Sequence, residues 1–169
     1  FKQKTAYEIT YGDWSSDVCS SDLLTLRDDT KQWNSTAQVV AMAKQSFSML
    51  DFHPEVDSRL GKTSFSPATN QRLFGSLLEL NNLAARLRRG DIEPHLFNTY
   101  CTEKFNFAPS VSDNAINKFG SDYTISWNGK PVQLGPHIRW NEARIYFYLD
   151  EQQLRVVVGH VGDRKSTRL

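Results

Sequence analysis

Apolar residues recur at helical spacing through two stretches of the first half of this chain, and at spacing two through its last third. In the first stretch Val40, Ala43, Phe47 and Leu50 share one helical face, flanked by Val39 and Met49. Ser35 or Thr36 stands where a capping side chain is wanted, so the pattern predicts a helix from there through Leu50. Pro54 and Gly61 punctuate the connection that follows. The second stripe runs through Leu73, Leu77, Leu80, Ala84 and Leu87, widened by Phe74, Leu78 and Leu83. Ser66-Pro67 opens it with a capping hydroxyl and a first-turn proline. Gly90 closes it, because glycine accepts the left-handed conformation that ends helices. A long helix over Pro67 to Arg89 is therefore expected. Pro94 opens a short helix through Cys101, and Ser112 caps another over Asp113 to Phe119, stopped by Gly120.

After Gly120 the period changes. Tyr123 to Trp127 and Lys130 to Leu134 flank Asn128-Gly129, a strong signal for a two-residue hairpin. Gly135-Pro136 breaks the chain, and His137 to Trp140 is expected as a third strand. Arg144 to Asp150 alternates, with Ile145, Phe147 and Leu149 on one face and Tyr146 and Tyr148 on the other. Leu154 to Val161, rich in valine, is expected to pair back across Glu151-Gln152-Gln153. Helices first and strands afterwards read as an α+β domain: two main helices followed by an antiparallel sheet of about four strands.

Composition narrows the picture by exclusion. Lys and Arg number 20 against 19 Asp and Glu, a net charge of +1, so no global field steers the chain to nucleic acid or an anionic membrane. No run of about 18 apolar residues is present to cross a bilayer. His53, His95, His137 and His160 fall into no metal-binding spacing, and Cys101 has no CxxC partner. No glycine-rich phosphate loop, nucleophile elbow or paired-carboxylate signature occurs, and nothing implies a cofactor.

Both ends read differently from the middle. Asp13 to Leu23, DWSSDVCSSDL, resembles residue for residue one reading frame of a sequencing-library adapter. Lys2 to Ile9, KQKTAYEI, resembles the same frame of the associated flow-cell primer, with Thr10, Tyr11 and Gly12 where a sample index would sit. Asp163 to Leu169, DRKSTRL, resembles the reverse complement of the same arm. The resemblance implies that residues 1–23 and 163–169 are not native. It also implies that 24–162 is a single domain, a fragment of a longer protein, and that Cys101 is its only native cysteine. A lone cysteine fits a reducing, cytoplasmic setting.

Candidate chemistry gathers on the predicted sheet. Arg144, Tyr146 and Tyr148 share a face, and Arg139, His137 and His160 fall on neighbouring strands or their ends. Arginine beside tyrosine can hold a phosphate and stack a base, and a histidine moves protons near neutral pH. Gly159 and Gly162 flank His160 and leave room for another backbone or a ligand. Arg86, Arg88 and Arg89 match the dipole at the end of the long helix. The segment RIYFYLDEQQLRVVVGHVG is loosely similar to the sheet of RelE-like toxins, small bacterial endoribonucleases with helices followed by an antiparallel sheet. That likeness implies messenger-RNA cleavage with Arg144, Tyr146 and His160 as the catalytic residues. The chain departs from such toxins in its near-neutral charge and in the extra segment from Glu93 to Gly120. Read without the likeness, the residues point to a non-catalytic interaction module in the C-terminal part of a larger bacterial cytoplasmic protein. It would bind a protein or RNA partner through Arg139, Arg144, Tyr146, Tyr148 and His137.

Overall fold

In a computed structural model the described residues are 33–163. The expectations for residues 1–32 and 164–169, the library-derived reading and Cys19 among them, lie outside these. The fold is α+β. Helix α1 (Thr36–Ser46) starts where Ser35 Oγ accepts a hydrogen bond from Gln38 N at 3.1 Å. Strand β1 (Leu50–Phe52) and helix α2 (Glu55–Leu60) follow, then the long helix α3 (Pro67–Arg89). A single 3-10 turn at Pro94–Leu96 leads into α4 (Phe97–Lys104), then strand β2 (Phe107–Ala108) and helix α5 (Asp113–Phe119). The remaining strands are β3 (Thr124–Trp127), β4 (Lys130–Gln133), β5 (His137–Trp140), β6 (Ala143–Asp150) and β7 (Arg155–Asp163).

Helix α3 keeps the bounds its caps predict: Ser66 Oγ accepts from Thr69 N at 3.2 Å, and Gly90 closes the helix with φ 84°. The arginines of its last turn behave as a solvated helix end. Arg86 lies 4.9 Å from the centroid of the Tyr100 ring, and Arg89 pairs with Asp91. Helix α1 is shorter than its apolar stripe suggests. It stops at Ser46, and Leu50 enters β1, which pairs in parallel with β7 in the register Leu50↔Val156. Pairing with a distant strand overrides the local helical pattern here.

The sheet is larger and less uniform than a simple meander. Five strands run in the order β1-β7-β6-β5-β2, antiparallel except for the β1–β7 edge. The β3–β4 hairpin stands apart as a two-stranded sheet, turning at Asn128 (φ 51°) and Gly129 (φ 76°). Strand β6 has β5 and β7 on its two edges, and β2 pairs with the other edge of β5, so the hairpin neighbours none of these three strands in a ladder. It packs on the face of the sheet instead. Ile125 and Leu134 join Tyr123, Val111, Tyr146 and Val157 in one buried cluster, with Ile116 and Phe119 of α5 against it. Two polar contacts fix it there, and a third fixes the turn that leads into it. Trp127 Nε1 donates to Asp150 Oδ2 at 2.9 Å, His53 Nε2 lies 3.0 Å from the Ser126 carbonyl, and Arg59 Nη1 donates to the Asp122 carbonyl at 3.1 Å.

On the α1–α3 side, Trp33 stacks on Phe74 with ring centroids 4.7 Å apart, and Phe47 packs on the same ring at 5.2 Å. A buried polar knot holds this seam. Asn70 Nδ2 donates to the Trp33 and Phe65 carbonyls, while Thr36 Oγ1 donates to Asn70 Oδ1 and accepts from Phe65 N. Phe147 of β6 is fully buried between Phe97 of α4 and Phe107 of β2. Asp163, where the second adapter-like segment begins, is the last residue of β7 and pairs with Ala143.

Candidate functional site

Strands β5 and β6 meet across a tight turn, and their register decides what stands together. His137 faces Tyr146, and Arg139 faces Arg144. Directly opposed residues share a face of the sheet, so these four side chains form one block. Helix α5 and the loop before it close over that block. The result is a groove of about 650 Å³, lined by Arg139, Arg144, His137 and Tyr146 from the sheet and by Lys118, Ser110, Ser112 and Asn114 from the cover. Among the described residues that line it, three carry positive charge and none is a carboxylate. Arg139 Nε donates to Asn106 Oδ1 at 3.2 Å, and Arg144 Nη1 donates to the carbonyls of Asn141 and Ala143 at 3.0 and 2.7 Å.

His137 is 8% exposed, and its Nδ1 lies 3.0 Å from the Gly135 carbonyl, which makes Nδ1 the protonated nitrogen of the neutral ring. Burial lowers its pKa, and the charges of Arg144 and Arg139 push the same way against the Gly135 hydrogen bond. The ring is stacked on Tyr146, centroids 4.7 Å apart at 26°. Tyr146 also touches Tyr123 at 5.5 Å and His160 at 5.8 Å and is only 5% exposed. The tyrosine expected to stack a base is therefore enclosed by the protein's own rings. Tyr148 shares the face as alternation requires, but it packs beside Trp127 and Val132 against the buried cluster and does not line the groove.

His160 does not line the groove either. It is 1% exposed, paired in register with Tyr146 and lying behind its ring. Burial brings its pKa down from 6.5 to about 4, helped by the charge of Arg59 and opposed by that of Asp163. The room expected beside it is filled by apolar packing. Strand β7 carries one extra residue where Tyr146 pairs with His160 and Phe147 with Val158, leaving Gly159 between them. A Cβ on Gly159 would sit 2.5 Å from Leu134 Cδ2, and Leu134 is itself fully buried. Gly159→Val is accordingly expected to destabilise the protein by about 1–3 kcal/mol through overpacking, read as a lowered urea midpoint at unchanged slope. A midpoint equal to that of wild type would show that Leu134 moves aside freely.

Cys101 is buried in α4, and burial pushes its thiol up to about 12, so it offers no nucleophile at neutral pH. Among the described residues no group of three or more histidines, cysteines and carboxylates stands together as a metal site, and no helix is long and apolar enough to cross a membrane. The sequence pattern singled out the sheet half of the groove. It missed Lys118 and the Ser110–Asn114 loop, although Ile116 and Phe119, three apart, indicate that α5 docks by that face and carries Lys118 along its flank. No known family model, curated protein or solved structure matches this chain.

Proposed function

We propose that this domain is a non-catalytic interaction module that holds an anionic stretch of a partner in the groove between β5, β6 and α5. The observation that carries it is the convergence of Lys118, Arg139 and Arg144 on one groove, in a chain whose net charge is only +1. Positive charge is thus focused locally, where low-dielectric walls strengthen its pull on an anion.

The endoribonuclease alternative keeps Arg144 and Tyr146 at the groove but needs His160 there as well, and His160 lies behind the Tyr146 ring. Binding is therefore favoured over cleavage. Replacing Arg139 and Lys118 together by glutamate is expected to weaken binding to a polyanion about tenfold or more, since hydrogen bonds to charged groups contribute about 1.5–3 kcal/mol each. Retention on immobilised heparin and a thermal melt of the same samples read binding and folding separately. A folded double variant that elutes at the wild-type salt concentration would sink the proposal. RNA cleavage by the purified protein, alone or with ribosomes, that disappears when Arg144 and His160 are both changed would replace it with the nuclease reading.

A further inference from the structure

We infer that Asn128, at the tip of the β3–β4 hairpin, is a modification site: in the folded protein the backbone nitrogen of Gly129 displaces its side-chain amide, and water then leaves an isoaspartate in the turn. Asparagine is among the thermolabile side chains, and this reaction needs the next residue's backbone nitrogen to reach the amide carbon. Gly129 is the only glycine that follows an asparagine in this chain. Both residues are exposed, and both hold left-handed φ values, 51° and 76°. A Cβ built on Gly129 would meet nothing within 4 Å, so the space beside it is open to water and base. The amides of Asn70, Asn81 and Asn106, by contrast, are tied into hydrogen bonds, and each is followed by a residue with a side chain.

The β5–β6 turn supplies a comparison within the same molecule. Asn141 is also exposed and also left-handed, with φ 46°, but Glu142 follows it, and a side chain there crowds the attacking nitrogen. At Asn128 a bond forms between Gly129 N and Asn128 Cγ, the bond from Cγ to the amide nitrogen breaks, and ammonia leaves with the Gly129 proton. Water then opens the cyclic imide. Attack at the Asn128 main-chain carbonyl routes the backbone through Cβ and Cγ, which is isoaspartate; attack at Cγ gives aspartate. Nothing is oxidised or reduced. The lengthened backbone fits poorly between Trp127 and Lys130, which face each other across the tight turn. Trp127 also ties the hairpin to Asp150, so the change at the tip loosens that tie.

The full chain and an Asn128→Gly variant would be aged in mildly alkaline buffer, both folded and unfolded in urea. Gly-Gly also suits a hairpin turn of this type, so the variant keeps the fold. Ammonia release, isoaspartate content and peptide mass are then read on the same samples. Folded wild type is expected to release ammonia, and the peptide carrying residue 128 to gain isoaspartate and to become heavier by the exchange of NH2 for OH. The peptide carrying Asn141 should stay unchanged, and the Asn128→Gly variant should lose the ammonia release. The modified protein, separated by its added negative charge, should melt below the unaged form. Reaction of the unfolded chain alone, an Asn141 peptide that changes as fast, or a variant that releases as much ammonia as wild type overturns the assignment of the site. A modified protein that melts with the unaged one overturns the loosening at Trp127.

Discussion

Truncating Phe147 to alanine is expected to lower the unfolding free energy by about 3–5 kcal/mol. The ring is fully buried in the middle of β6, edge-on to Phe97 with centroids 6.4 Å apart and stacked with Phe107 at 6.1 Å. It is therefore the joint between the sheet, α4 and the short edge strand β2. Removing it takes away transfer free energy and also leaves a cavity whose walls belong to three elements and cannot all collapse inward. Domains of this size are stable by only about 5–15 kcal/mol, so a large fraction of the stability would be lost. Phe147→Leu keeps most of the volume and should cost much less. Urea unfolding of the three proteins provides the measurement. A loss below about 1 kcal/mol for the alanine variant would mean that the ring is not packed between α4 and β2.

The second large effect is a pH dependence. His160 titrates at 6.5 when unfolded and at about 4 when folded, because burial and the nearby Arg59 disfavour its charged form. The unfolded chain then binds the proton more readily than the native one between those two values. Stability contributed by the neutral ring is fully present above pH 6.5 and is lost as the pH falls from 6.5 toward about 4. At this burial the loss is of order 3 kcal/mol. His137 moves in the same direction, its pKa lowered chiefly by burial. Carboxylates titrate over the lower part of this range too, so the informative quantity is the difference between wild type and His160→Gln. The variant should be flatter between pH 6.5 and 4.5, and at the lower end the gap between the two proteins should narrow or reverse. Parallel curves would show that His160 is not held neutral by the fold.

The sequence shows most plainly those elements whose signals are local. Ser66-Pro67 and Gly90 bracket α3 because capping and left-handed closure are short-range chemistry. Asn128-Gly129 marks its hairpin for the same reason. What alternation along a strand leaves open is the choice of neighbour. The hairpin reads as two strands of the sheet, yet its strands pair only with each other, and Ile125 and Leu134 bury it against Tyr146 and Val157. Strand β1 is hidden altogether. Three residues are too few to show a period of two, and Leu50 completes a convincing helical stripe. Only Val156, far along the chain, makes it a strand.

The site divides the same way. Arg139, Arg144, His137 and Tyr146 can be placed together from alternation and a tight turn, because the contacts between them span few residues. Lys118 and the two serines reach the groove only through the docking of α5 on a cluster gathered from distant segments; the spacing of Ile116 and Phe119 marks the face that docks but not what it docks on. For His160 the neighbouring Gly159 is informative about space but not about its occupant, which is the side chain of Leu134.

The pairing of β1 with β7 has a consequence for how the molecule is made. Asp51 and Arg155 form an ion pair across a separation of 104 residues, and the ladder beside them joins the first described strand to the last. A ribosome delivers β1 early and must then add α2 through β6 before its partner exists. During that interval β1 exposes an unpaired edge, and helices α1 and α3 have no finished sheet to cover. The sheet closes only when β7 emerges and slides between β1 and β6, so native structure arrives late and as a whole. Until β7 has emerged, the apolar faces of the earlier elements stay without the sheet that buries them.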